Sequence, residues 1–241
     1  MQILTVALAP SRALALVQAV VVTAAILVFR PFVLAGQAPL QAFDPDRLRT
    51  GEIIRYRDLS RGDFLASNPP ASSGSLHGEV GAATCVSLTT DPDTSIRTSS
   101  LAFDGQRTLV RAQVENLGFI AFMDRGCSWW NPGPLSLPHE YILQHEQIHF
   151  ALVEIAARHL NSRVPGLTRQ VENVSTSRQG ALEQIQQHVA REMQRVLDEA
   201  LARSDDFDRD TSRTYSPDRQ NGWWQTVTRE LNRSAAADES S

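Results

Sequence analysis

The stretch that most restricts how this chain can fold is residues 137–161, LPHEYILQHEQIHFALVEIAARHLN. At its centre stands His145-Glu146-Gln147-Ile148-His149, two histidines four residues apart with a glutamate beside the first. On an α-helix that spacing leaves the imidazoles only about 40° apart, one turn above the other, so both leave the same face. Two neutral imidazoles so placed can share one zinc ion. The neighbouring glutamate can take the proton of a water that the metal activates. Read as an ordinary core helix, the segment would leave two histidines on an apolar stripe, each in need of a buried hydrogen-bond partner.

Flanks and periodicity support the helix. Ser136 can cap it, Pro138 suits its first turn, and Asn161 followed by Pro165-Gly166 is expected to end it. Tyr141, Ile142, Ile148, Leu152, Val153, Ala156 and Leu160 fall on one side at spacings of three and four, with His145 and His149 inside that stripe. Glu140, Gln147, Glu154 and Arg158 fall opposite, and Glu154 and Arg158 are spaced for an ion pair.

Far upstream, residues 13–29 are apolar except for Gln18 and Thr23, with Arg12 before and Arg30 after. This predicts an export segment over 1–38. It is either a signal peptide cut near Gly36-Gln37-Ala38 or an uncut membrane anchor with Arg12 on the inner side. The expected location is therefore outside the cytoplasm, periplasmic or extracellular, with attachment to the inner membrane if the segment is kept. Cys85 and Cys127 are the only cysteines. In an oxidising compartment they can form a cross-strand bridge; the other reading is two buried free thiols. Neither has a second cysteine nearby, so a Cys-type zinc site has no support. A net charge of −4, with all 23 basic residues arginine and none clustered into a patch, predicts no nucleic-acid partner.

The chain's 241 residues, 42% hydrophobic, suit one domain of moderate size, expected over 52–233. A polar linker over 39–51 precedes it and a disordered tail over 234–241 follows. Strands are expected at 53–56, within 82–89, at 109–114 and at 119–123, with 91–100 as a polar turn region. A second helix over 181–203 places Leu182, Ile185, Val189, Met193, Val196, Leu197 and Ala200 on one side. An acidic, turn-rich stretch over 204–219 leads to a short last helix at 220–231. Strands before helices give an α+β fold, a small antiparallel or mixed sheet packed on the histidine helix and a second long helix.

Several motifs carry a resemblance. Leu143-Gln144-His145-Glu146-Gln147-Ile148-His149-Phe150 is similar to the L-x-H-E-Q-x-H-F core of a family of bacterial proteins described as secreted zinc-dependent proteases. Glu154 and Ala157-Arg158 also match that family's helix. Leu59, Asp63 and Phe64 resemble its L-x-W-x-D-F motif, with Arg61 where tryptophan is usual, and Ser128-Trp129 resembles the Ser-Trp ahead of its helix. Phe207-Asp208-Arg209-Asp210-Thr211 resembles its Y-D-x-E-T, and Gln220 with Trp223 its Q-x-x-W. The matches run from about Leu59 to Val227. There are two departures. Ala151 stands where the family has an aspartate, and Arg213 stands where its T-x-H-G has a histidine.

The resemblance implies a zincin-like metalloprotease domain that binds Zn2+ and hydrolyses peptide bonds of a peptide or protein substrate outside the cytoplasm. His145 and His149 would be metal ligands and Glu146 the catalytic base. A catalytic zinc takes a third protein ligand and keeps one position open. Glu154 lies about 180° around the helix from His145 and is expected to pair with Arg158 instead. Glu172, Glu183, His188 and Glu192 on or near the second helix are candidates, as are Asp208 and Asp210 in the family-like motif; Asp208 is preferred. Arg213 cannot ligate zinc but can stabilise an oxyanion. His77 and His139 read as structural or exposed, and His159 lies more than two turns from His145, too far for the same ion. By analogy with zinc peptidases, a strand at 119–123 or 127–130 is expected to hold an extended peptide. Loss of the family's histidine motivates an alternative: an exported binding or scaffold protein on the same fold, without turnover. A metal-dependent hydrolase of a non-peptide bond would use the same residues.

Overall fold

The computed structural model describes residues 44–70, 81–103, 107–133, 137–170, 173–212 and 215–238. The expected export segment, His77, Ser136, Glu172 and Arg213 lie outside the described residues. Those described form a mixed α+β fold of small antiparallel sheets and four helices.

The chain enters through a one-turn helix, α1 (Asp46–Arg49), inside the stretch expected to be linker. Arg47 ties this turn to the domain, donating to Glu52 at 3.1 Å and to Asp124 at 2.7 Å. The strands follow as β1 (Ile53–Arg55), β2 (Ala82–Ala83), β3 (Val86–Thr90), β4 (Ser95–Phe103), β5 (Arg107–Asn116), β6 (Phe119–Asp124) and β7 (Trp129–Trp130). β6 is apolar at five consecutive positions, Phe119 to Met123, as suits a strand covered on both faces. It sits between β1 and β3, antiparallel to both, with Ile53 opposite Asp124 and Val86 opposite Met123. β2 pairs with β7 in a two-stranded sheet. β4 and β5 form a hairpin, extended on the β5 side by β8 (Asn173–Ser175). The region expected to be a polar turn thus holds a nine-residue strand. Its Ser, Thr and Arg side chains hide the period-two pattern, because an antiparallel strand tolerates a solvated face.

The histidine helix, α2, spans His139–Gln170. The Pro138 carbonyl accepts its first bond, from the Ile142 N–H at 3.2 Å, so Pro138 sits at the cap rather than in the first turn. The expected stop at Asn161 does not occur. Pro165 removes one N–H from the helix, a local loss that the buried Leu160 and Leu167 on either side outweigh. Asn161 instead bonds the sheet. Its Oδ1 accepts from the Phe119 N–H at 2.8 Å and its Nδ2 donates to the Phe119 carbonyl at 2.9 Å. It therefore pairs with the first residue of β6 as a neighbouring strand would.

The second long helix, α3 (Arg178–Thr211), begins at Ser177, whose side chain accepts from the Gly180 N–H at 3.0 Å. It outruns the expected end at 203 because the buried stripe continues: Ile185, Val189, Val196, Ala200, Phe207 and Thr211 recur at spacings of four and seven. Asp208 therefore stands on a helix, not in a turn-rich loop. α4 (Pro217–Asp238) also outruns its expected span and takes in the first residues of the expected disordered tail, where Ala235-Ala236-Ala237 favour helix.

α2 divides the core. One cluster joins it to α3 and the sheets through Phe150, Val153, Ala157, Leu160, Ile185 and Met123. A smaller one packs Ile148, Ala151 and Leu152 of α2 against Phe207 of α3 and Val227 and Leu231 of α4. Each such large side chain, fully buried, contributes about 1.5–3 kcal/mol. Burial on several flanks explains why Gln147, expected on a polar face, is only 6% exposed. Its amide bonds the Leu59 N–H at 2.6 Å and the Arg57 carbonyl at 3.2 Å, clamping the N-terminal segment to the helix.

Candidate metal centre

His145 and His149 project one turn apart from α2 toward the last turn of α3, where Asp208 stands. His145 Nε2 lies 3.0 Å from Asp208 Oδ1, His149 Nε2 lies 3.1 Å from the same oxygen, and the two Nε2 atoms are 3.1 Å apart. The three atoms form a nearly equilateral triangle. A tetrahedral ion with bonds of about 2.0–2.1 Å needs ligand atoms about 3.3 Å apart, so a small outward adjustment fits one. Among the described residues, His145, His149 and Asp208 are the one such group of His, Cys, Asp or Glu side chains that could bind a metal ion.

The surroundings orient these three side chains. Phe207, one residue before Asp208, sets its ring 4.4 Å from that of His145 and 5.1 Å from that of His149. The Thr211 hydroxyl donates to the Phe207 carbonyl at 2.7 Å, leaving its lone pairs toward His145 Nδ1 at 3.5 Å. That favours a proton on Nδ1 and leaves Nε2 free for a metal. Ser212 Oγ donates to Asp208 Oδ1 at 3.1 Å. The His149 side chain is 8% exposed, that of His145 15% and that of Asp208 36%, so the group opens to solvent on the α3 side.

Electrostatics bind the three together. Burial pushes the Asp208 carboxyl up, but the charge on His149 and hydrogen bonds from both imidazoles outweigh it and hold the carboxyl well below the usual carboxylate range. Burial lowers the His149 imidazole, and the carboxylates of Asp208, Glu146 and Asp205, led by Asp208, reverse this and raise it. Asp205 is raised by burial and by the neighbouring charge of Asp208. Asp208 and His149 thus favour each other's charged form.

Glu146 is buried at 5% exposure. The Thr84 N–H and hydroxyl both donate to its Oε2, at 2.9 and 2.8 Å. Both bonds fall on one oxygen, which leaves Oε1 to face other partners.

The remaining candidates lie elsewhere. Glu154 pairs with Arg158 at 2.7 Å, as its spacing predicted. Glu183 accepts from Gln179 and Glu192 pairs with Arg163 and Arg195; Glu192 and His188 stand roughly 24 and 30 Å up α3 from Asp208. Asp210 accepts from Trp223 Nε1 at 3.1 Å. The His139 ring meets Trp130 edge-on, a structural role. The two strands expected to take a peptide are already paired. β6 has a neighbour on each side, and Trp129 has Ala83 on one side and a parallel bridge to Ala66 on the other. Ala151 is fully buried against the Phe207 cluster, so the position of the family's aspartate is apolar here.

Sequence reasoning missed Thr84. It sits 62 residues before Glu146, between two short strands, with no local pattern to mark it. Cys85 and Cys127 are joined, with Cα atoms 5.7 Å apart, which settles the two readings of the cysteines in favour of the bridge. No helix among the described residues is long and apolar enough to cross a membrane. Compared with protein-family models, curated proteins and solved structures, the chain matches none.

Proposed function

We propose that the protein is an exported zinc metallopeptidase of zincin-like fold, with His145, His149 and Asp208 as zinc ligands and Glu146 as base. The observation that carries this reading is the convergence of two Nε2 atoms and one carboxylate oxygen within 3.1 Å of one another, beside a glutamate on the same helix. Two imidazoles and one carboxylate also suit iron(II) or manganese. The choice of zinc rests on the glutamate next to the first ligand, a pairing that hydrolytic zinc sites use, and on the resemblance in the motifs from Leu59 to Val227.

His145, His149 and Asp208 would hold the ion, which when bound would supply Lewis acidity toward a carbonyl oxygen and a water. Glu146 would be the base that takes a proton from the attacking water and passes it to the amine as the peptide C–N bond breaks. Phe207 holds the imidazole planes, and the Thr211 hydroxyl holds the His145 tautomer. Arg213, next in the chain after Ser212, is the proposed oxyanion stabiliser in place of the family's histidine.

Metal analysis and one substitution test the reading. The purified protein is expected to carry about one zinc per chain. Glu146→Gln is expected to keep that zinc and lose peptide cleavage by at least about 100-fold. Protein that takes up no zinc at micromolar concentration sinks the reading at its first step. Zinc-loaded protein that is equally inert as wild type and as Glu146→Gln favours the binding or scaffold alternative.

A further inference from the structure

We infer that Thr84 is the positioning residue of Glu146, holding its carboxylate by one oxygen so that the other is the basic one; this rests on the reading of Glu146 as base. Thr84 is 3% exposed and lies in the short link between β2 and β3. Its N–H and its hydroxyl converge on the same oxygen, Oε2, at 2.9 and 2.8 Å. One donor would let the carboxylate swing about a single bond. Two donors on one oxygen restrict the rotation of the carboxylate and so limit where Oε1 can lie. Both donors come from one buried residue, so a single side chain and its own backbone orient the group. Threonine suits this role because its branched Cβ stiffens χ1 in extended backbone.

Thr84 is itself pinned at both ends. On the C-terminal side, the Cys85 N–H donates to Ser128 Oγ at 2.9 Å and its carbonyl accepts from the Asp124 N–H at 2.8 Å. Its sulfur is bonded to Cys127. On the N-terminal side, Ala83 pairs with Trp129. Gly81 lies so close to α2 that a Cβ there would stand 2.6 Å from Ile142 Cδ1 and force that side chain to shift. Ile142 is three residues before His145, and the β2 segment is therefore docked onto α2 within a turn of the ligands.

The test uses Thr84→Val, which keeps the shape and the backbone donor but removes the hydroxyl, and Thr84→Ser, which restores it. Thr84→Val is expected to lower kcat roughly 10- to 100-fold with KM and zinc content unchanged, and Thr84→Ser to recover most of the loss. Amide hydrogen exchange gives a readout without turnover. The Thr84 amide is expected to exchange at least about tenfold faster in Glu146→Ala than in wild type, while exchange of the Thr89 amide in β3 is unchanged. Wild-type kcat in Thr84→Val overturns the inference, as does equal loss in both threonine variants that tracks melting temperature. An unaltered Thr84 exchange rate in Glu146→Ala also overturns it. An active wild type with an indifferent Thr84→Val sinks the positioning role alone. A zinc-loaded wild type that cleaves nothing sinks the peptidase reading and the positioning role together.

Discussion

Asp208→Ala removes the oxygen that both imidazoles face at 3.0 and 3.1 Å and leaves their Nε2 atoms opposed across 3.1 Å. Zinc sites with a complete protein ligand set bind with about 10–16 kcal/mol of apparent free energy, so one ligand of four contributes about 2.5–4 kcal/mol. At about 1.4 kcal/mol per tenfold, zinc affinity is expected to fall roughly 10²–10³-fold. One effect works the other way. The Asp208 carboxylate is the main charge holding a proton on His149, and a metal must displace that proton to bind. Removing the carboxylate weakens proton competition, so the loss is expected to be larger at about pH 8 than at about pH 6. Competition against a chromogenic chelator at both pH values measures it. Affinity in Asp208→Ala within about threefold of wild type at about pH 8 would refute the reasoning, above all if His145→Ala and His149→Ala had lost theirs.

Metal-free protein should show the reverse dependence in its stability. The raised His149 contributes stability that is complete below its ordinary pKa of 6.5 and is lost as pH rises through its higher folded value. The lowered Asp208 contributes stability that is complete above its ordinary pKa of 3.8 and is lost as pH falls. The melting temperature of chelator-treated wild type is therefore expected to exceed that of Asp208→Asn most between those two values, with the gap closing as pH rises above 6.5 through the raised His149 value. The Cys85–Cys127 bridge spans 42 residues, and loop-closure entropy puts its contribution at about 4 kcal/mol. Denaturant unfolding of Cys85→Ala/Cys127→Ala checks this, and an unchanged midpoint would contradict it. Gln147→Ala orphans the buried Leu59 N–H, and the expected cost is about 2–3 kcal/mol in the same assay.

What is legible in the sequence is local. The register of His145, Glu146 and His149 on a helix follows from spacing alone, and the Glu154–Arg158 pair follows the same rule. β6 is legible because five apolar residues in a row have few other uses in a chain of this kind. Distant partners are not. Asp208 joins the histidines across about 60 residues, and only its place in a motif resembling a known family singles it out. Its helix reads as shorter than it is because Asp205, Asp206, Asp208 and Asp210 resemble a solvated turn, whereas Phe207 and Thr211 carry the buried stripe through them. Asn161 and Pro165 read as a helix stop by propensity, and tertiary contact with β6 overrides it. Thr84 needs the fold itself: nothing within its own segment marks a residue whose two donors meet a carboxylate on a helix 62 residues away.

The most direct test of the central claim is an anomalous-difference map, recorded on either side of the zinc absorption edge, from crystals of protein purified without added metal. The account predicts one peak, present only above the edge, about 2.0–2.2 Å from His145 Nε2, His149 Nε2 and Asp208 Oδ1. A map with no peak there, a peak held by other residues, or a peak that persists below the zinc edge would contradict it.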